Sequence, residues 1–301
     1  MSLEKPPGFE EHVNGLPILH GQKGGYSFGG ITVMMTMPRD TLEAIPNMEL
    51  YKDDVIVAGF PKTGGGWLQE ITYLVLNDAN TEAANATPSF QRIPFIETLS
   101  KENLLGLKNA QRPKILKTHL PMRMIPDHSK VGAKLIYSTR NPKDVAVSFY
   151  HFHRMNMTMH AGDFDEFLEL FMSDDIAYGN YLKHVADYTK AAEQADSNVL
   201  IIKYEDNHKD PEGTIKKIAE FCNKTLTQTQ IDEILDHTTF KNMSNNPSTN
   251  YEGAWFFDQT ISKYLRKGIV GDWKESFTSE QTEKFDKWLR DVSESTGVTF
   301  G

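Results

Sequence analysis

One junction constrains this chain more than any other part of it. Val55-Ile56-Val57-Ala58-Gly59 is apolar at consecutive positions, the pattern of a parallel strand buried on both faces. A loop, Phe60-Pro61-Lys62-Thr63-Gly64-Gly65-Gly66, follows at once. Trp67, Ile71, Leu74 and Val75 then fall at i, i+4, i+7 and i+8, which is one face of a helix. A strand, a glycine loop and a helix in direct succession belong to a parallel α/β sheet.

The same alternation continues downstream. Ile115-Leu116, Leu135-Ile136-Tyr137 and Val199-Leu200-Ile201-Ile202 read as further strands. Tyr178, Tyr181, Leu182, Val185 and Tyr188 form one helical stripe. Ile215, Ile218, Ala219 and Cys222 form another, with Pro211 near its start. The expectation is an α/β fold with a central, mostly parallel sheet flanked by helices. No boundary splits the pattern, so residues 1–301 read as a single domain, with residues 1–50 as an irregular N-terminal segment packed on it. Within that segment, glycine-rich residues 21–30 precede every strong strand. They read as a flexible lead-in rather than a dinucleotide loop.

Composition narrows the class. The charge is 32 − 41 = −9, which argues against a general nucleic-acid binder but leaves room for a local basic pocket. The single cysteine, Cys222, leaves no internal disulfide and no cysteine-cluster metal site, and suits a reducing compartment. Met1 to Gln22 has neither the basic start nor the apolar stretch of a signal peptide. No run approaches the ~18 apolar residues of a membrane span. A cytoplasmic protein, independent of membranes, is the expectation.

The glycine loop carries the first chemistry. Glycines let backbone N–H groups turn toward an anion, and the helix start adds positive partial charge. Lys62 adds a full charge. Lys62-Thr63 precedes the glycines, whereas a Walker A loop places Lys and Ser/Thr after them.

Three more segments bear on an anion or a proton. Lys117 and His119 lie two apart at a strand end and so point to one face. A histidine beside a lysine is biased toward neutrality, and a neutral imidazole can accept a proton from a hydroxyl. Arg140 ends the strand before Asn141-Pro142, where α/β sheets place ligands, and Ser148 lies about two turns into the next helix. Asp144 fits that helix's first turn for dipole reasons alone. Arg266-Lys267-Gly268 suits a second phosphate, with a solvated charge pair as the alternative. His151 and His153 are an i, i+2 pair on a helix and point apart, so no metal site is expected.

Together these segments resemble the cytosolic sulfotransferases. Residues 60–67, 117–121, 140–150 and 266–273 carry the likeness. Arg92-Ile93-Pro94-Phe95-Ile96-Glu97, Tyr204-Glu205-Asp206 and Phe240-Lys241-Asn242-Met243 fit in the same order. The resemblance implies a P-loop-like sulfotransferase fold and transfer of a sulfuryl group from 3′-phosphoadenosine 5′-phosphosulfate (PAPS) to a hydroxyl or amine of a small apolar acceptor. The product nucleotide would be the 3′,5′-diphosphate, PAP. Lys62 would meet the bridging oxygen, residues Thr63, Gly64, Gly65 and Gly66 would hold the 5′-phosphate, and His119 would be the general base with Lys117 assisting. Arg140, Ser148, Arg266, Lys267 and Gly268 would bind the 3′-phosphate. Trp67 and Phe240 would sandwich the adenine, Tyr204 would hydrogen-bond it, and Thr238 and Met243 would complete the cofactor site. Phe95 and Phe152 would line the acceptor slot. Transfer would run in line, with lysines in place of a metal ion.

Two departures stand out from that resemblance. Relatives usually carry hydroxyl residues, most often two threonines, where this chain has Gly65 and Gly66. A weakened or non-catalytic nucleotide-binding relative is therefore the alternative reading. Lys274, Thr278 and Glu283 match a family dimer segment, but Ser279 replaces the usual valine and removes an apolar contact. A P-loop-like kinase would need Mg²⁺ and a carboxylate to hold it, and no strand offers one. Met155, Met157 and Met159 read either as an adaptable lid over the acceptor or as ordinary packing.

Overall fold

In the computed structural model, which describes residues 8–195 and 197–300, four parallel strands form the central sheet. They are β1 (Val55–Gly59), β2 (Ile115–Thr118), β3 (Lys134–Thr139) and β4 (Val199–Lys203). Their order is β2-β1-β3-β4, with Ile56 opposite both Leu116 and Leu135, and Tyr137 opposite Ile201. Consecutive apolar residues are needed because both faces are covered. Ile56, Ala58, Leu116, Leu135 and Tyr137 enter one core, while Val55, Val57, Ile115, Ile136 and Ile202 enter the other.

Helices supply the two outer layers. Helix α1 (Gly65–Leu76) packs Leu68, Ile71, Leu74 and Val75 into the second core, with α5 (Pro211–Phe221) and α6 (Gln228–His237). The first core takes Val145 and Phe149 from α2 (Pro142–Met155) and Phe167 and Phe171 from α3 (Phe164–Met172). Helix α4 (Tyr181–Ala192) and α7 (Ser279–Thr296) close that layer. Asn141 caps α2 by accepting the N–H groups of Lys143 and Asp144, and Pro142 takes the first helical position. Tyr178 is buried but precedes α4. Asn180 caps that helix, which shortens the expected stripe at its start.

The strand order positions the site. The chain leaves β1 for β2 on one side and then crosses to β3 on the other. Loops after β1 and β3 therefore diverge and leave a crevice at the carboxyl ends of these strands.

The irregular N-terminal segment is corrected over its described part, since residues 1–7 lie outside the described residues. Phe9–Asn14 and Arg39–Ala44 are helices, and two small hairpins pair Ile18–Leu19 with Gln22–Lys23 and Tyr26–Phe28 with Ile31–Val33. Strands of two and three residues are too short for alternation to announce them. The segment does pack on the domain, because Ile31, Val33, Met37 and Leu42 join the first core. Among the described residues no helix is long and apolar enough to cross a membrane.

Candidate active site

Among the described residues no carboxylate pairs with the lysine of the loop after β1. Lys62 has a positive φ of 71° and is half-buried. Its ammonium lies 4.7 Å from the ring centroids of both Phe152 and Tyr264. Burial, then Arg140, Lys117 and Arg266, push it down to about 7. Gly64, at φ 93°, must be glycine. A Cβ there would come within 2.6 Å of the Tyr204 ring. Gly65 and Gly66 are different, because added Cβ atoms would meet nothing closer than 3.5 Å and 3.9 Å. Thr63 turns its hydroxyl inward, donating to the Phe60 carbonyl at 2.8 Å and bonding Ser138 at 2.6 Å.

The base candidate sits beside this loop. His119 follows the last residue of β2, and its Nδ1 is 2.5 Å from the carbonyl oxygen of Gly59, the end of β1. A carbonyl only accepts, so Nδ1 carries the proton and Nε2 keeps its lone pair. Burial, and next the Lys117 charge, hold the imidazole well below its usual range. Neutrality was legible from the Lys117–His119 spacing, but burial is its larger cause. The Lys117 ammonium lies 4.2 Å from the Phe95 centroid, and the His119 ring stands edge-on to Phe95 at 5.1 Å and to Tyr178 at 5.5 Å. Glu97, to which the sequence assigned no role, accepts the His119 N–H at 2.7 Å. Burial pushes that carboxyl up to about 7.

Arg140 joins the loop after β1 to a second loop, residues 266–272. Its guanidinium donates to the Ile269 carbonyl at 3.0 Å and to the Lys62 carbonyl at 3.4 Å, and it lies 4.3 Å from the Tyr204 centroid. Ser148 is half-buried on α2, in its second turn. In the second loop, Arg266 and Lys267 both pair with Asp272, and Lys267 also reaches Glu275 at 2.8 Å. Both are ion-paired, and Lys267 remains partly exposed to solvent. Asp144 exceeds its dipole role. It is buried and accepts the N–H groups of Gly271 at 2.7 Å and Trp273 at 3.0 Å, so it fastens this loop to α2.

The far end of the crevice is aromatic. Trp67 meets Tyr204 edge-on at 5.7 Å. The Phe240 ring is exposed and packs so tightly on Gly268 (φ 64°) that a Cβ there would collide with it. A cavity of about 390 Å³ opens beside Trp67, lined by Leu235, Thr238 and Thr239 among others. The Thr238 hydroxyl is already bonded to the Ile234 carbonyl, and Met243 is buried. These two frame the site rather than offer it polar groups.

Among the described residues, the buried donors without a partner include Arg140 Nε, Arg266 Nε and Trp67 Nε1, which lie at this crevice. The two arginine donors are open to an anionic nucleotide. The residues present therefore fit PAPS. No group of three or more His, Cys, Asp or Glu suited to a metal ion occurs among the described residues. Met155 and Met159 are buried, with Met159 bridged to Gln22, so most of the methionine stretch is packing rather than lid.

Comparison with known proteins names the class. A family model described as a sulfotransferase domain matches residues 52–297, and the chain belongs to the sulfotransferase family. Among individual relatives, Sulfotransferase 1A1 of Canis lupus familiaris is 36% identical, covering 87% of this chain and 90% of that protein. Sulfotransferase 1E1 of Homo sapiens is 38% identical, covering 86% and 92%. Two solved structures share the fold. Retinol dehydratase, in complex with androsterone and inactive cofactor PAP, aligns with a TM-score of 0.77 at 29% identity, covering 88% of each chain. Mouse sulfotransferase SULT7A1, complexed with PAP, aligns with a TM-score of 0.74 at 28% identity, covering 89% and 94%.

Proposed function

We propose that this enzyme transfers a sulfuryl group from PAPS to the hydroxyl of a small apolar acceptor, with His119 as general base. One observation carries the reading: the bond between His119 Nδ1 and the Gly59 carbonyl. It couples the base to the strand that leads into the anion loop, and it fixes the tautomer whose Nε2 can take a proton. PAPS supplies a sulfuryl group already activated on a phosphate. Lys62 offers charge where charge develops on the leaving oxygen, and Lys117 does so beside the acceptor. Residues Thr63 to Gly66 face the 5′ end through backbone N–H groups. Arg140, Ser148, Arg266, Lys267 and Gly268 hold the 3′-phosphate, while Trp67, Tyr204, Phe240, Thr238 and Met243 surround the base.

Phe95 and Phe152 each carry one of the two lysines on their faces, and Phe95 stands against His119 as an aromatic approach to the base. Phenols, steroids and other apolar alcohols suit that approach, and androsterone and retinol occupy neighbouring structures. The cations are side chains, so activity in EDTA, in the cytoplasm, goes with this reading. Lys274, Thr278, Ser279 and Glu283 stand exposed, where a second copy would meet them. Sedimentation at micromolar concentration separates monomer from dimer.

The decisive variant is His119→Ala. Transfer should be lost while PAP binding stays nearly intact. Substantial residual turnover would overturn the base assignment.

A further inference from the structure

Gly65 and Gly66 leave a gap at the start of α1, and one side chain stands over it. A Cβ placed on Gly66 would have the Tyr264 hydroxyl as its nearest neighbour, at 3.9 Å. The same ring meets the Lys62 ammonium at 4.7 Å. The Tyr251 ring packs on it with centroids 4.1 Å apart, and Phe257 stacks on it at 5.5 Å. Tyr264 is thus held by rings on several sides, with its polar end toward the first turn of α1.

We infer that the Tyr264 hydroxyl donates to the 5′ end of the bound nucleotide, in place of the hydroxyls that Gly65 and Gly66 lack. The inference rests on the reading of this crevice as the PAPS site. A phenol has one rotatable O–H and two acceptor lone pairs. When an anion arrives, the Tyr264 O–H can turn to the phosphate. No covalent bond changes and no proton leaves the phenol. Burial holds the Tyr264 phenol well above its ordinary range, so it stays a donor and adds no negative charge. The geometry also explains the pairing with Lys62. One aromatic residue uses its face to position the lysine and its edge to replace a lost hydroxyl.

The test is calorimetric binding of PAP and of adenosine 3′-monophosphate, which lacks the 5′ group. Tyr264→Phe keeps the ring and its contact with Lys62. It should weaken PAP by about tenfold, because a hydrogen bond to a charged group is lost. Adenosine 3′-monophosphate should bind as before. Gly66→Thr added to Tyr264→Phe should recover most of the loss, whereas Gly66→Thr alone should change PAP binding less. Unchanged PAP affinity in Tyr264→Phe overturns the inference. So does an equal loss for both ligands, which would mark a general disturbance of the loop. Failure of the unaltered protein to bind PAP would instead remove the PAPS reading itself, and this inference with it.

Discussion

Lys62 and Lys267 are both loop cations at the same crevice, and their surroundings differ in kind. Lys62 rests on Phe152 and Tyr264, and burial together with neighbouring cations pushes it down to about 7. Lys267 is bonded to Asp272 at 2.5 Å and Glu275 at 2.8 Å, and those bonds raise it above the ordinary lysine range. The first loop therefore carries a lysine with no carboxylate partner among the described residues, and a bound anion would favour its charged form. The second carries its own counterions, so an anion arriving there meets charge that is already partly neutralised. Coulombic attraction is worth most where no counterion intervenes and water is sparse. The loop after β1 is thus suited to stabilising charge that appears during reaction, and residues 266–272 to holding a charge that is already present.

Paired variants give the largest test of that contrast. Lys62→Ala should cost about 100- to 1000-fold in kcat, the scale for removing one preorganised charge donor. Lys267→Ala should weaken PAP by only a few-fold and leave kcat at saturating PAPS nearly unchanged. Equal effects on kcat, read from steady-state kinetics, would erase the distinction.

The next effect is in pH. Free Lys62, at about 7, is mostly neutral by pH 8, and a bound anion favours its charged form. Binding then takes up a proton, so PAP affinity should fall as pH rises above 7, approaching tenfold per unit for one linked proton. Calorimetry in buffers of different ionisation heat would detect the uptake. Lys62→Ala should flatten the dependence and Lys267→Ala should not. On the acid side, His119 is held well below its usual range. The kcat/KM profile should therefore stay level through pH 6.5, and a midpoint at or above that value would contradict the buried neutral base.

The smallest effect concerns the glycines. A Cβ at Gly65 or Gly66 would make only ordinary contacts, at 3.5 Å to Gln69 and 3.9 Å to Tyr264. Gly65→Thr with Gly66→Thr should tighten PAP by a few-fold, with Tyr264 limiting the gain. Unchanged affinity would show that the added hydroxyls gain nothing over the backbone N–H groups and Tyr264.

Much of this site was legible in the sequence because it sits at strand ends. Residues 55–67 put strand, loop and helix in one stretch, and Arg140 precedes its capped helix directly. What stayed hidden lies between distant segments. Asp144 binds Gly271 and Trp273 across more than a hundred residues, Glu97 holds the His119 N–H, and Tyr264 folds back over Lys62. Periodicity reports which face of an element is apolar, not which remote loop lands on it. The glycines at 24, 29 and 30 supply turns with positive φ within and beside hairpins too brief for any pattern to register.

The most direct measurement is PAPS consumption followed by mass spectrometry, with EDTA present and a panel of phenols, steroids, alcohols and amines. Sulfated acceptor and PAP should form in equal amounts, and both should vanish in His119→Ala. A requirement for added Mg²⁺, or undiminished turnover by His119→Ala, would contradict metal-free transfer through this base.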